Sequence, residues 1–335
     1  MPIYNDIFSI NQVYELMVDG QWVTSAYIAT KPGQLNGWFG GGFTPAITAS
    51  VDRITYANDT ATAVTRGALA AGRYGQGATG NVDYGWHALG GPAPAPFSSS
   101  TRIDYANDGV SSTDRGSLTL GRSLAAATGT ANDGWWTSGA FPSTTYLTRV
   151  DRLTYATDTS TASARGNMAT VKARGAATTD TTTYGWFGGG YVRAPALAPT
   201  SSVDRITYAN DLVTAALRGP LAIARTDMAA TGNLNYGWYG GGIAGGVQIT
   251  TYNRIDYASD ASTALVRGSR AIGTYYPLST GDESYGYWTG NGPSNATYST
   301  MIQRMTYASD TSATVVVGSL VTARQRGGAT GGMIG

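Results

Sequence analysis

The chain has 335 residues, a net charge of +1 and only 13% charged residues, too few and too evenly balanced for a nucleic-acid footprint. It contains no cysteine, so disulfides and thiolate metal sites are excluded. No apolar run approaches the roughly 20 residues that a membrane-spanning helix needs, and the first residues lack the basic-then-apolar pattern of a secretion signal.

Residues 1–36 read as an arm. Ser9-Ile10-Asn11-Gln12 has the form of a helix capping box, and Ile10, Val13, Tyr14 and Met17 then share one helical face. Asp19-Gly20 ends the helix, Trp22 follows, and a polar linker runs through Lys31-Pro32-Gly33. A helix this short is marginal alone, so its apolar face needs a partner. Either the arm folds back on the rest of the chain, or it docks on a larger assembly or a second copy. Ile10, Val13, Tyr14, Met17 and Trp22 are the docking candidates.

From Gly37 onward the chain repeats itself. Gly-Trp pairs or their equivalents begin at Gly37, Gly85, Gly134, Gly185, Gly237 and Gly286, and an Asp recurs at Asp59, Asp108, Asp158, Asp211, Asp260 and Asp310. Spacings of 48 to 53 residues suit a propeller or array whose units bury a core only by stacking. The composition agrees: 46 Gly, 22 Tyr and 8 Trp stand against two Glu and two Lys, which favours strands and turns over long helices.

Within one repeat, Val51 to Ala57 alternates as a strand, with Ile54 and Tyr56 on one face and Arg53 and Thr55 on the other. Asn58-Asp59-Thr60 is a turn and Ala61 to Arg66 the return strand. A three-residue turn places Asp52 opposite Arg66, and likewise Asp151 opposite Arg165 and Asp204 opposite Arg218, as cross-strand charge pairs. Leu69 to Thr79 reads as a small-residue strand carrying Arg73, with Arg122, Arg174, Arg225 and Arg324 as its counterparts and Thr274 as the exception. Tyr84 to Gly90 is the aromatic strand.

The two ends complete each other. The first repeat lacks a small-residue strand before Gly37, and the chain finishes with that strand, Leu320 to Thr330, lacking an aromatic partner. The C-terminal strand is therefore expected to close the first blade and remove open sheet edges. The prediction is an all-β, six-bladed propeller of four-stranded blades over 37–335.

The glycine doublet Gly41-Gly42, Tyr56, Asn58-Asp59 and Arg73 resemble the kelch-type β-propeller repeat. More narrowly, "YGWFGGG" followed by "VDRITYAND" is similar to repeats in virion proteins of marine tailed phages, particularly cyanophages, over about nine-tenths of the chain. The kelch pattern is structural and brings no catalytic residues with it. The resemblance implies a virion component, such as a tail fibre or capsid decoration, with other virion proteins as partners through the arm and host-surface glycans or proteins as contacts. Membrane insertion is not expected, and self-association is compatible with the arm.

The chemical candidates are sparse. Each recurrent Asp stands alone in its turn, whereas calcium needs six to eight oxygens, so these acids read as turn caps beside an arginine. The single histidine, His87, occupies the position of Phe39, Trp136, Phe187, Tyr239 and Trp288, and reads as a packed ring. One histidine and no cysteine leave no copper site and no Ser-His-Asp set. Glu283 beside Asp282, with Asp180 and Asp227, are the acids that break the repeat; they are the only basis for a glycosidase reading. No enzyme, metal or cofactor is expected. Recognition belongs to the unequal loops 43–50, 92–100, 140–148, 191–202, 243–252 and 291–300, which emerge on one face and carry Phe43, Phe97, Tyr146, Tyr191, Arg193, Tyr252 and Tyr298 as contact candidates. A free carbohydrate-binding lectin is the alternative to the virion component.

Overall fold

The computed structural model describes residues 31–91, 96–141, 145–193, 196–290 and 298–331, and the chain separates into two units, Met1–Lys31 and Pro32–Gly335. The arm residues Ile10, Val13, Tyr14, Met17 and Trp22 lie outside the described residues. Pro32–Gly335 is a six-bladed β-propeller of antiparallel four-stranded sheets. In the second blade the strands run, from axis to rim, Gly77–Gly80, Tyr84–Ala88, Ser99–Asp104 and Thr113–Ser117. The inner strands pack on one another around the axis, and the last of them, Gly328–Gly331, pairs with Asn36–Gly40 of the first blade, Gly37 opposite Gly331 and Gly40 opposite Gly328. The ring is thus closed by the C-terminal strand as the sequence predicts.

Three details differ from expectation. The inner strand is short, Gly77–Gly80, because the segment before it crosses from the rim of one blade to the axis of the next. The turn after strand three is a 3-10 turn, Tyr56–Asn58, not a three-residue hairpin. The return strand therefore starts later and its register moves by one: Val51 lies opposite Arg66 and Asp52 opposite Thr65, Asp151 opposite Ala164, and Asp204 opposite Leu217. A one-residue slip turns each side chain to the other face, so the expected Asp52–Arg66, Asp151–Arg165 and Asp204–Arg218 pairs do not form. The third correction concerns the buried cations, where the counterpart of Arg73 in the fourth blade is Lys172 rather than Arg174. Lys172 bonds Asp204 at 2.8 Å, as Arg122 bonds Asp151 at 2.6 Å and Arg324 bonds Asp52 at 2.8 Å.

The repeated words of the sequence build the boundaries between blades. Each Trp after the strand-two glycine is buried against the Tyr of the next blade's Tyr-Ala-Asn-Asp run: Trp38 stacks on Tyr105 at 3.9 Å, Trp86 on Tyr155 at 3.8 Å and Trp186 on Tyr257 at 4.0 Å. The indole N–H then donates to the Asp of that same run, Trp38 to Asp108 at 2.8 Å and Trp238 to Asp310 at 2.9 Å. Two arginines converge on each carboxylate except Asp59; Asp108 receives Arg53 at 3.0 Å and Arg66 at 3.4 Å. The closing boundary keeps the plan with a smaller ring: Tyr287 stacks on Tyr56 at 5.1 Å and Arg304 reaches Asp59 at 2.7 Å. The glycine after the second arginine allows the next turn to approach, since a Cβ on Gly116 would overlap the carbonyl of Ser160.

His87 packs in this core as one more ring, fully buried, with a pKa lowered to about 3 by burial and by the charges of Arg73 and Arg324.

Candidate binding face

The antiparallel order gives the ring two unlike faces. One carries the short turns between strands one and two, each closed by a side chain accepting backbone N–H bonds. Asn81 accepts from Asp83 and Tyr84, Asp180 from Thr182, Thr183 and Tyr184, Asn233 from Asn235 and Tyr236, and Asp282 from Ser284 and Tyr285. Asp180 and Asp282 are therefore turn caps in register with asparagines, and Glu283 is exposed beside one of them. On this face the axial channel forms a cavity of about 120 Å³ walled by Thr79, Thr128, Thr178, Thr231, Thr280 and Thr330 with small neighbours, room for several waters. The chain also enters here. The helical turn Pro32–Leu35, assigned by sequence to the arm, lies on the ring, where Gly33 donates its N–H to the Val82 carbonyl at 3.0 Å.

The other face gathers the unequal loops around an axial ring. Leu124 donates its N–H to the Gly75 carbonyl at 2.6 Å, Arg174 to Leu124 at 3.0 Å, Asp227 to Arg174 at 3.0 Å, Arg326 to Tyr276 at 3.3 Å, and Gly75 to Arg326 at 2.7 Å. All six residues of this circle have left-handed backbones, with φ of 64° at Gly75, 62° at Leu124, 63° at Arg174, 55° at Asp227, 46° at Tyr276 and 56° at Arg326. Only Gly75 takes that conformation without steric cost; each other residue holds its side chain on the axis against roughly 1 kcal/mol of strain.

Those side chains form a charged cluster. Arg174 Nη1 lies 3.4 Å from Asp227 Oδ2, Thr226 donates to the same carboxylate at 3.2 Å, and Arg326 stacks on the Tyr276 ring at 3.8 Å. Burial pushes the Asp227 carboxyl upward in pKa, opposed by the charges of Arg174 and Arg326. Two guanidiniums and one carboxylate leave the axis cationic, and Arg326 forms no ion pair among the described residues. Asp227 thus sits across the ring from Asp180 and Glu283, so the acids that depart from the repeat do not form one cluster.

The loops lean on this axis. Phe43 bridges to Gln325, Ala140 to Ser123, Tyr191 to Ala173 and Ile243 to Thr226, each partner being the residue just before an axial one. Phe43 lies 6.1 Å from Tyr74 and 6.3 Å from Tyr298, Arg174 lies over Tyr191 at 5.8 Å, and Arg193 over Tyr146 at 6.0 Å. Five sequence candidates, Phe43, Tyr146, Tyr191, Arg193 and Tyr298, are therefore together on one face with some surface free. Phe97 covers the buried Arg73 at 5.3 Å. Tyr252 has no exposed surface; it is a core residue 4.7 Å from Trp288 and not a contact residue. Sequence reading missed the axial Arg174, Asp227, Tyr276 and Arg326. Their one signal was that they occupy the place of Gly75 two residues before each inner strand.

Among the described residues no group of three His, Asp or Glu is placed to hold a metal, and no helix is long and apolar enough to cross a membrane. No protein-family model matches the chain, and no curated protein matches it.

Proposed function

We propose that the chain is a non-enzymatic attachment module, a kelch-like propeller mounted by its N-terminal arm on a larger particle and touching a surface glycan or protein through the loop face. The observation that carries this reading is the difference between the two faces. The chain enters at Pro32 on the face of short, self-capped turns, while the strained axial cluster and the loop aromatics share the opposite face. Aromatic rings beside cationic and hydroxyl groups suit sugars, which offer flat apolar faces edged with hydroxyls. The wording of the repeat resembles phage virion proteins, and a virion is the setting this reading favours.

The test uses the full-length chain on a glycan array and on intact host cells. Arg326→Gly, which Gly75 shows the backbone accepts, and Tyr298→Ala should each lower binding at least tenfold. Glu283→Gln, on the other face, should leave it unchanged. Binding that survives both loop-face substitutions overturns the assignment of this face, and the absence of any glycan or cell binding reduces the module to a purely structural one.

A further inference from the structure

Five boundaries of the ring share a packing rule that the boundary between the fifth and sixth blades breaks. In the crossing segment, Leu69, Leu118, Met168, Leu221 and Leu320 donate backbone N–H bonds to Ala49, Ser98, Thr148, Ser201 and Thr300 and are buried. Four residues later a buried cation, Arg73, Arg122, Lys172, Arg225 or Arg324, meets carbonyls or a carboxylate. Arg73 reaches the Ser99 carbonyl at 2.9 Å and Arg225 the Thr251 carbonyl at 2.7 Å, and the others have their aspartates. At the remaining boundary Arg270 donates its N–H to Thr250 in the aliphatic position, and Thr274 stands in the cation position.

Arg270 is 2% exposed, and among the described residues none of its three guanidinium nitrogens has a hydrogen-bond partner. The local acids are gone as well: the position of Asp52, Asp151 and Asp204 is Asn253 in the fifth blade and Gln303 in the sixth. Beside the guanidinium, Gly241, Thr274 and Pro277 meet at one point. Nη1 lies 2.8 Å, and Thr274 Oγ1 3.4 Å, from the point where a Cβ on Gly241 would stand. Tyr252 replaces the Val51, Val150 and Val203 of other blades, and the charge of Arg270 acts on its phenol. Among the described residues the Thr274 hydroxyl and the Trp288 indole N–H are buried without partners too, whereas the Tyr252 phenol bonds Thr314. A guanidinium stays protonated at any accessible pH, and an isolated buried charge is not tolerated without a counter-charge. Water leaves that charge uncompensated, and the guanidinium itself repels cations.

We propose that this boundary holds a small monovalent anion, chloride in ordinary media, on the Arg270 guanidinium with the Thr274 hydroxyl donating to it. The anion completes the core between the fifth and sixth blades, a structural role separate from the loop face.

Thermal unfolding of the full chain, titrated with chloride against gluconate at constant ionic strength, tests this. Above the dissociation constant each tenfold rise in chloride should lower the unfolding equilibrium constant about tenfold, with gluconate inert. The exchange Arg270→Leu/Thr274→Arg, which restores the rule of the other boundaries, should abolish the dependence. Crystals soaked in bromide should show an anomalous peak within hydrogen-bonding distance of the guanidinium; this measurement needs only the native chain and decides the matter if the exchanged variant does not fold. Equal response to chloride and gluconate, a chloride response that persists in the folded exchanged variant, or water in place of bromide at Arg270 would each overturn the proposal.

Discussion

Trp86 in the second blade donates its indole N–H to Asp158 in the third at 2.9 Å, with Arg102 at 3.0 Å and Arg115 at 3.4 Å on the same oxygen. Sequence separation between the Trp and Asp is 72 residues, yet both belong to the repeated phrase. The phrase therefore encodes the joint between units rather than the unit itself. Each of the first five repeats supplies the Trp and two Arg of one boundary and the Tyr and Asp of the previous one, and the sixth supplies Tyr287 and Arg304. This is the physical content of a repeat that cannot fold alone.

Asp158→Ala should accordingly weaken the ring more than any loss within one blade. It leaves a buried indole N–H and two converging arginines without their acceptor. Loss of a fully buried ion-pair partner costs about 3–5 kcal/mol; both arginines here are about one-fifth exposed, so ~2–3 kcal/mol is expected. Asp158→Asn keeps one acceptor oxygen and should recover part of the loss. Guanidinium unfolding curves of the two variants measure it.

Gly116→Ala is expected to be severe for a steric reason. The glycine N–H donates to the Asp158 carbonyl at 2.6 Å, and the added Cβ would meet the Ser160 carbonyl, part of the same neighbouring turn. Backbone on both sides prevents relief by a rotamer change, so the boundary must open, at a cost above the ~1–3 kcal/mol of ordinary overpacking. Gly109→Ala, where nothing lies within 4 Å of an added Cβ, is the control that should leave stability nearly unchanged.

The ring was legible in the sequence because a period of about fifty residues and the split first blade both survive in one dimension. The inter-blade wiring was not, since Arg66 and Asp52 alternate convincingly as a local pair and only the 3-10 turn at Tyr56–Asn58 shifts them apart. Lys172 was hidden by Arg174 two residues on: charge type suggested one, and distance to the inner strand selects the other. The axial cluster was the hardest to see. Gly75, Leu124, Arg174, Asp227, Tyr276 and Arg326 share a backbone conformation and no chemistry, so neither composition nor pattern groups them. Tyr252 was misplaced because a loop boundary in sequence is not a boundary of burial.

His87 gives the ring a pH signature. Its folded pKa of about 3 lies below the ordinary imidazole value of 6.5, so between those limits the unfolded chain binds one more proton than the native one. The stabilisation is complete above pH 6.5 and is lost as pH falls toward 3, at about 1.4 kcal/mol per pH unit from this residue. Carboxylates join the titration below about pH 5. The difference between the native chain and His87→Phe over pH 6.5 to 5 should isolate the histidine, with the variant showing the flatter curve. Parallel curves would mean that His87 is not held neutral in the native core.

Closure by the C-terminal strand makes the last prediction. Gly328–Gly331 covers one edge of Asn36–Gly40, which holds the fully buried Trp38 and Phe39. Removing residues 328–335 exposes that edge next to a large apolar surface, and an unpaired edge seeks another strand. The truncated chain should therefore lose its single cooperative transition and associate, through exchange of inner strands or edge-to-edge pairing, in light scattering after size exclusion. A peptide spanning 328–335, added in excess, should return the particle to the mass of one chain because it supplies the missing pairing partner of Asn36–Gly40. A truncated chain that stays monomeric and unfolds at the original temperature would show that the blade is held by its outer strands and that the C-terminal strand merely rests against the ring.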